Sequence, residues 1–124
     1  MQEIIETSEA PNPIGPYSQA IRANGFIFVS GQIPIHPKTG LVEDGIEDQT
    51  RRVIQNLSAI LNAAGSGLDR VVKTTVFLSN LDDFSRVNQI YAEYFAEAKP
   101  ARATIQAARL PKEVLVEIEA IAIN

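Results

Sequence analysis

Glu47-Asp48-Gln49-Thr50-Arg51-Arg52-Val53-Ile54-Gln55-Asn56-Leu57-Ser58-Ala59-Ile60-Leu61-Asn62-Ala63-Ala64-Gly65, with Val71-Val72-Lys73-Thr74-Thr75-Val76-Phe77-Leu78-Ser79 a few residues later, decides the fold class. In the first stretch Val53, Ile54, Leu57, Ile60, Leu61 and Ala64 recur at helical spacing, so 47–64 reads as an amphipathic helix. Glu47 and Asp48 suit its positive N-terminus, and Gly65 suits a C-terminal cap. In the second stretch the period drops to two, and Val72, Thr74, Val76 and Leu78 are expected on one face of a strand.

The same reading extends outward in both directions. A second helix is expected over 82–98, with Phe84, Val87, Tyr91, Tyr94 and Phe95 along a stripe, Asp82 or Asp83 as cap and Pro100 as stop. Strands are expected over 103–108 and 114–123. Upstream, 10–17 is a rigid loop holding Pro11, Pro13, Gly15 and Pro16. The stretch 19–30 is a hairpin turned by Asn24-Gly25, and 34–45 is a second loop punctuated by Pro37 and Gly40. Strands interleaved with two helices predict an α+β domain with both helices on one face of a mixed sheet. The last strand is apolar on both sides. Val116, Ile118, Ala120 and Ala122 alternate with Leu115, Ile121 and Ile123, and Glu117 and Glu119 share the second side. An apolar sheet face with nothing left in the chain to cover it predicts a homo-oligomer.

With 124 residues the chain suits one domain, 1–124, able to bury a core without metal or disulfide. It has no cysteine, which removes disulfides, zinc–thiolate sites and cysteine nucleophiles, and fits a cytoplasmic location. His36 is the only histidine and lies between prolines in a loop, so neither a Ser-His-Asp triad nor a transition-metal site is expected. A net charge of −4 with no basic run argues against nucleic acid as a partner. The acidic N-terminus is no signal peptide, and no apolar run approaches the ~20 residues that span a bilayer.

Arg102, in Pro100-Ala101-Arg102-Ala103, is read as an anion-binding arginine in a small-molecule site. Its planar fork of donors matches a carboxylate bidentately, although a surface ion pair is the commoner fate of an arginine. Glu117 and Glu119 on a mostly apolar strand face are costly to bury unless paired. Tyr17 closes the proline-rich loop, Gly31 in Ser30-Gly31-Gln32 allows close approach of another group, and Asn88 lies about one helical turn from Phe84 and Tyr91. Each of these residues also has a plain packing or solvent-facing reading.

Together these residues resemble the reactive intermediate deaminase (Rid) family. Pro100-Ala101-Arg102-Ala103-Thr104-Ile105, then Leu110, then Val116-Glu117-Ile118 is similar to its C-terminal signature. Pro13-Ile14-Gly15-Pro16-Tyr17-Ser18 resembles its N-terminal motif, and Ser30-Gly31-Gln32-Ile33-Pro34 and Val87-Asn88 match in order and spacing. The resemblance implies a chorismate-mutase-like α+β homotrimer with active sites in the clefts between subunits. It implies cofactor-free hydrolysis of 2-imino acids, such as 2-iminobutanoate and 2-iminopropanoate, to 2-keto acids and ammonia, a form of metabolite damage control. By resemblance Arg102 binds the substrate carboxylate and Glu117 positions or activates the water. Tyr17, Ser30, Gly31 and Asn88 line the cleft. Thr104 stands where the family often has cysteine, a position whose backbone carbonyl helps hold the water. Two other functions fit the same fold: a regulator or chaperone-like interaction protein, and an endoribonuclease. Retention of Arg102 with Glu117 favours the deaminase over the first. The acidic charge and single histidine argue against the second.

Overall fold

The protein is described by a computed structural model over residues 2–124. In chain order it forms β1 (Glu3–Ile5), β2 (Ala20–Ala23), β3 (Phe26–Gln32), α1 (Ile46–Ala63), β4 (Val71–Leu78), α2 (Phe84–Phe95), β5 (Ala101–Gln106) and β6 (Val116–Ile123). The strands make one six-stranded sheet in the order β1-β2-β3-β6-β4-β5. Among the described residues only the β4–β5 pair is parallel, with α2 as the crossover between them. Both helices pack on one face, as expected for the α+β class. Val53, Ile54, Leu57, Ile60 and Leu61 of α1 meet Ile27, Val29, Val76, Ile118 and Ala122 in a single core.

Local chemistry explains most element boundaries. Asn24 (φ 52°) and Gly25 (φ 82°) form the left-handed pair that a tight hairpin between β2 and β3 needs. Beyond α1, Gly65 takes φ 79°; its N–H donates to the Asn62 carbonyl and that of Ser66 to the Leu61 carbonyl, a Schellman closure. The second helix is shorter than the stripe over 82–98 suggests. A 3-10 turn over Leu81–Asp83 precedes it, capped by the Asn80 side chain, which accepts from the Asp82 N–H, so neither Asp82 nor Asp83 supplies the side-chain cap. The strand expected over 103–108 begins two residues earlier, which places Arg102 inside β5.

Two irregularities correct the strand readings. In β4 a bulge between Val71 and Lys73 turns Val71 into the core and leaves Val72 exposed, so Val72 does not share a face with Thr74, Val76 and Leu78. In β3 a second bulge sets Ser30 and Gly31 against one residue of β6, because Val29 pairs Ala120 while Gln32 pairs Ile118. Val29 and Gln32 are therefore both buried although three residues apart, and the Ser30-Gly31 pair lies within the strand.

The sheet face away from the helices is uncovered in the single chain. Phe26, Phe28, Ile105 and Ile123 lie there 41–47% exposed. In its middle is a shallow depression lined by Phe28, Lys73, Thr75, Glu119 and Ile121. No helix among the described residues is long and apolar enough to cross a membrane.

Candidate functional site

Arg102 points from β5 toward the helices. Its guanidinium carbon lies 4.7 Å from the centroid of the Tyr91 ring and 5.6 Å from that of Phe84, both on α2. Phe84, Asn88 and Tyr91 fall at i, i+4 and i+7, so Asn88 belongs to the same helix face as the two rings. The Asn88 amide has no hydrogen-bond partner among the described residues, and Arg102 has no carboxylate within ion-pair distance. Thr104 is two residues further along β5 on the same face, and its Oγ1 is buried without a partner. These groups form one constellation: a cation on aromatic faces, with unmatched donors, beside a free amide.

Glu117 belongs to a second constellation on the other face of the sheet. A Cβ added to Gly31 would meet Glu117 Oε2 at 2.1 Å, so the β3 bulge and the missing side chain together make the seat of that carboxylate. Glu117 has no ion pair or hydrogen bond among the described residues. Burial, and then the like charge of Glu119, push its carboxyl above the ordinary carboxylate range. Tyr17 and Gly31 line one shallow cleft with Asn12, Ile14, Gln32 and Lys112.

The loop carrying Tyr17 is fixed from beneath. Gln19, 2% exposed, accepts from the Thr7 N–H at 2.7 Å and donates to the carbonyls of Thr7 at 3.0 Å and Pro11 at 2.9 Å. Ser30 Oγ donates to the Ser18 carbonyl at 2.6 Å. The one hydroxyl proton of Ser30 is thus engaged in tying the Tyr17 loop to β3, while its oxygen keeps the capacity to accept.

The two constellations do not meet within one chain. Arg102 and Glu117 could share a ligand if their strands were neighbours, but β4 lies between β5 and β6. Arg102 is level with Thr74 and Ala120, three residues along the strand from Glu117. At roughly 3.3 Å per residue and 4.8 Å per strand their Cα atoms are about 14 Å apart, with side chains leaving opposite faces. Sequence reading placed Phe84 and Tyr91 only in a packing stripe and missed Gln19. The interruption of the stripe by Asn88 is the signal that one end of that face does more than pack. His36 stays in its turn, where Nδ1 accepts from the Lys38 N–H at 3.2 Å. No cluster of potential metal ligands occurs among the described residues.

Comparison with known proteins follows the same outline. Residues 7–124 match the family model described as Endoribonuclease L-PSP. A RutC family protein of Pyrococcus horikoshii is 58% identical over 98% of each chain. Reactive Intermediate Deaminase A, chloroplastic, of Arabidopsis thaliana is 48% identical over 98% of this chain and 65% of its own length. The crystal structure of E. coli TdcF with bound serine superposes with a TM-score of 0.94 at 44% identity, covering 98% of both chains.

Proposed function

Because this chain belongs to the reactive intermediate deaminase (Rid) family, we propose that it hydrolyses small 2-imino acids, 2-iminobutanoate and 2-iminopropanoate among them, to 2-keto acids and ammonia. The observation that carries this reading is the back-to-back placement of two incomplete half-sites. One offers an unpaired guanidinium and the other an unpaired, partly desolvated carboxylate. A second copy packed on the exposed apolar face supplies what each lacks, so the working unit is a homotrimer with clefts between its chains.

In such a cleft Arg102 forks the substrate carboxylate while Asn88 and Thr104 border it. From the neighbouring copy Glu117 holds a water against the imine carbon, with Tyr17 and Gly31 shaping the space. The water oxygen bonds to that carbon and its proton passes to Glu117. From the protonated imine this gives a neutral carbinolamine; its nitrogen takes the proton back from Glu117, the C–N bond breaks with its electron pair leaving on ammonia, and the hydroxyl proton passes to Glu117 as the carbonyl forms. A carboxylate raised above its usual range is the better base, and general-base help of this kind contributes about 10²–10⁴-fold. No cofactor enters this scheme, and the location it suits is the cytoplasm.

The test couples the protein to a threonine dehydratase that releases 2-iminobutanoate. Losing a charge-assisted pair worth about 1.5–3 kcal/mol lowers kcat/KM of Arg102→Ala by roughly 10–150-fold. Glu117→Gln is expected to bind 2-oxobutanoate normally and turn over slowly. A wild-type rate for Arg102→Ala would refute the carboxylate clamp.

A further inference from the structure

Arg102 differs from the other arginines in what surrounds it. Arg22, Arg51, Arg52 and Arg109 each pair with a carboxylate, Arg70 donates to the Asn124 carbonyl at 2.8 Å, and Arg86 is exposed. Arg102 alone is partly withdrawn from solvent without donating a hydrogen bond among the described residues. A guanidinium in that position needs something to hold it, and an acidic neighbour would hold it by occupying the donors a ligand requires. Aromatic faces act differently. They attract the cation through the ring quadrupole and contact its flat side, which leaves the N–H edge open.

We infer that Tyr91, locked by its hydrogen bond to Thr74, is a positioning residue that holds Arg102 flat and open-edged for a carboxylate. This rests on the reading of Arg102 as the carboxylate clamp. Three contacts close on one another. Thr74 is the register partner of Arg102 across the β4–β5 pair. Thr74 Oγ1 and the Tyr91 hydroxyl are 2.7 Å apart, and Thr74 is fully buried. The Tyr91 ring in turn lies under the guanidinium. Phe95 backs the ring from its own turn of α2, with centroids 4.5 Å apart. The ring is therefore tied at its hydroxyl end to the strand position beside the arginine, and it cannot swing without breaking a buried hydrogen bond.

Residue types follow from this arrangement. Valine at 74 would fit the same space, and its hydroxyl-bearing counterpart is stable in the core only because Tyr91 answers it. Burial raises the Tyr91 phenol above its ordinary range, against the Thr74 hydrogen bond and the Arg102 charge, so the ring stays neutral and never becomes an anion competing for the guanidinium. Asp82 and Asp83 precede Phe84 in sequence, yet neither pairs with Arg102.

The experiment titrates the wild-type assembly and three variants with 2-oxobutanoate, a stable keto acid, by calorimetry, and measures kcat and KM in the coupled assay. Tyr91→Leu is expected to weaken 2-oxobutanoate binding and raise KM about tenfold while kcat changes less than about threefold. Tyr91→Phe keeps the ring and restores most of that loss. Tyr91→Phe and Thr74→Val, which cut only the tie, each weaken binding about twofold to threefold. Equal falls in kcat and a lowered melting temperature without a KM change would mark Tyr91 as packing alone and overturn the inference. If Tyr91→Leu does not fold, wild-type affinity in both milder variants overturns it. An Arg102-dependent 2-oxobutanoate affinity that follows this pattern in a protein unable to hydrolyse imines would sink the deaminase reading and leave this inference standing.

Discussion

Replacing Gly31 with alanine perturbs Glu117 without altering it. The new Cβ would lie 2.1 Å from Oε2, 3.0 Å from Cδ and 3.3 Å from Cγ of Glu117, and ordinary contact begins at 3.4 Å. The oxygen must therefore retreat by the difference, 3.4 − 2.1 = 1.3 Å. Gly31 is not in the left-handed region, so the backbone accepts alanine. The displaced carboxylate has no partner in the chain to lose, and stability should move by no more than about 0.5 kcal/mol. Catalysis should not be so tolerant, since displacing a group by about 1 Å costs roughly 10²-fold. In the coupled assay kcat is thus expected to fall about 100-fold. Calorimetric 2-oxobutanoate binding should fall far less than kcat, because the arginine half-site governs it and Gly31 only borders the cleft. A kcat within about threefold of wild type, in a variant that folds and assembles, would refute the claim that chemistry depends on where Gly31 seats Glu117.

Two further outcomes test other parts of the site. Glu117 must be deprotonated to act as a base, and its carboxyl is raised first by burial and then by Glu119. The acidic limb of kcat/KM should therefore lie above the ordinary carboxylate range. Glu119→Gln, which removes the like charge, should shift it to lower pH, and an unmoved limb would show that Glu119 is not felt. Thr104 Oγ1 is buried without a partner, so Thr104→Val is expected to stabilise the fold by about 1–2 kcal/mol in thermal unfolding. An unchanged or lower melting temperature would show that the hydroxyl finds a partner once the chains assemble.

The elements carried by strong periodicity were legible in the sequence. The stripe from Val53 to Leu61 and the alternation from Val116 to Ile123 each report a single buried face, and Asn24-Gly25 admits few turns other than the one observed. β1 was missed because three residues with only Ile5 buried leave no pattern to detect. Val72 was misassigned because a bulge shifts the alternation by one residue, and nothing in a run of β-branched side chains marks where the shift falls. The family resemblance singled out candidate site residues, but their spatial relation was not legible. That relation depends on β4 lying between β5 and β6, a consequence of the crossover through α2 that the spacing of Arg102 and Glu117 along the chain does not encode. The Tyr91–Thr74 pair was hidden for another reason: each residue is unremarkable in its own element, and only the register of β4 with β5 brings them beneath the arginine.

The placement of Arg102 and Glu117 on opposite faces of one sheet also bears on inheritance. If every cleft draws its arginine from one chain and its glutamate from the next, a chain lacking only the first and a chain lacking only the second are not equally dead when they share a cell. Mixed assemblies of the two bring an intact arginine against an intact glutamate at some of their junctions. Two alleles that each abolish activity alone can then complement one another, whereas one allele carrying both lesions has nothing left to lend.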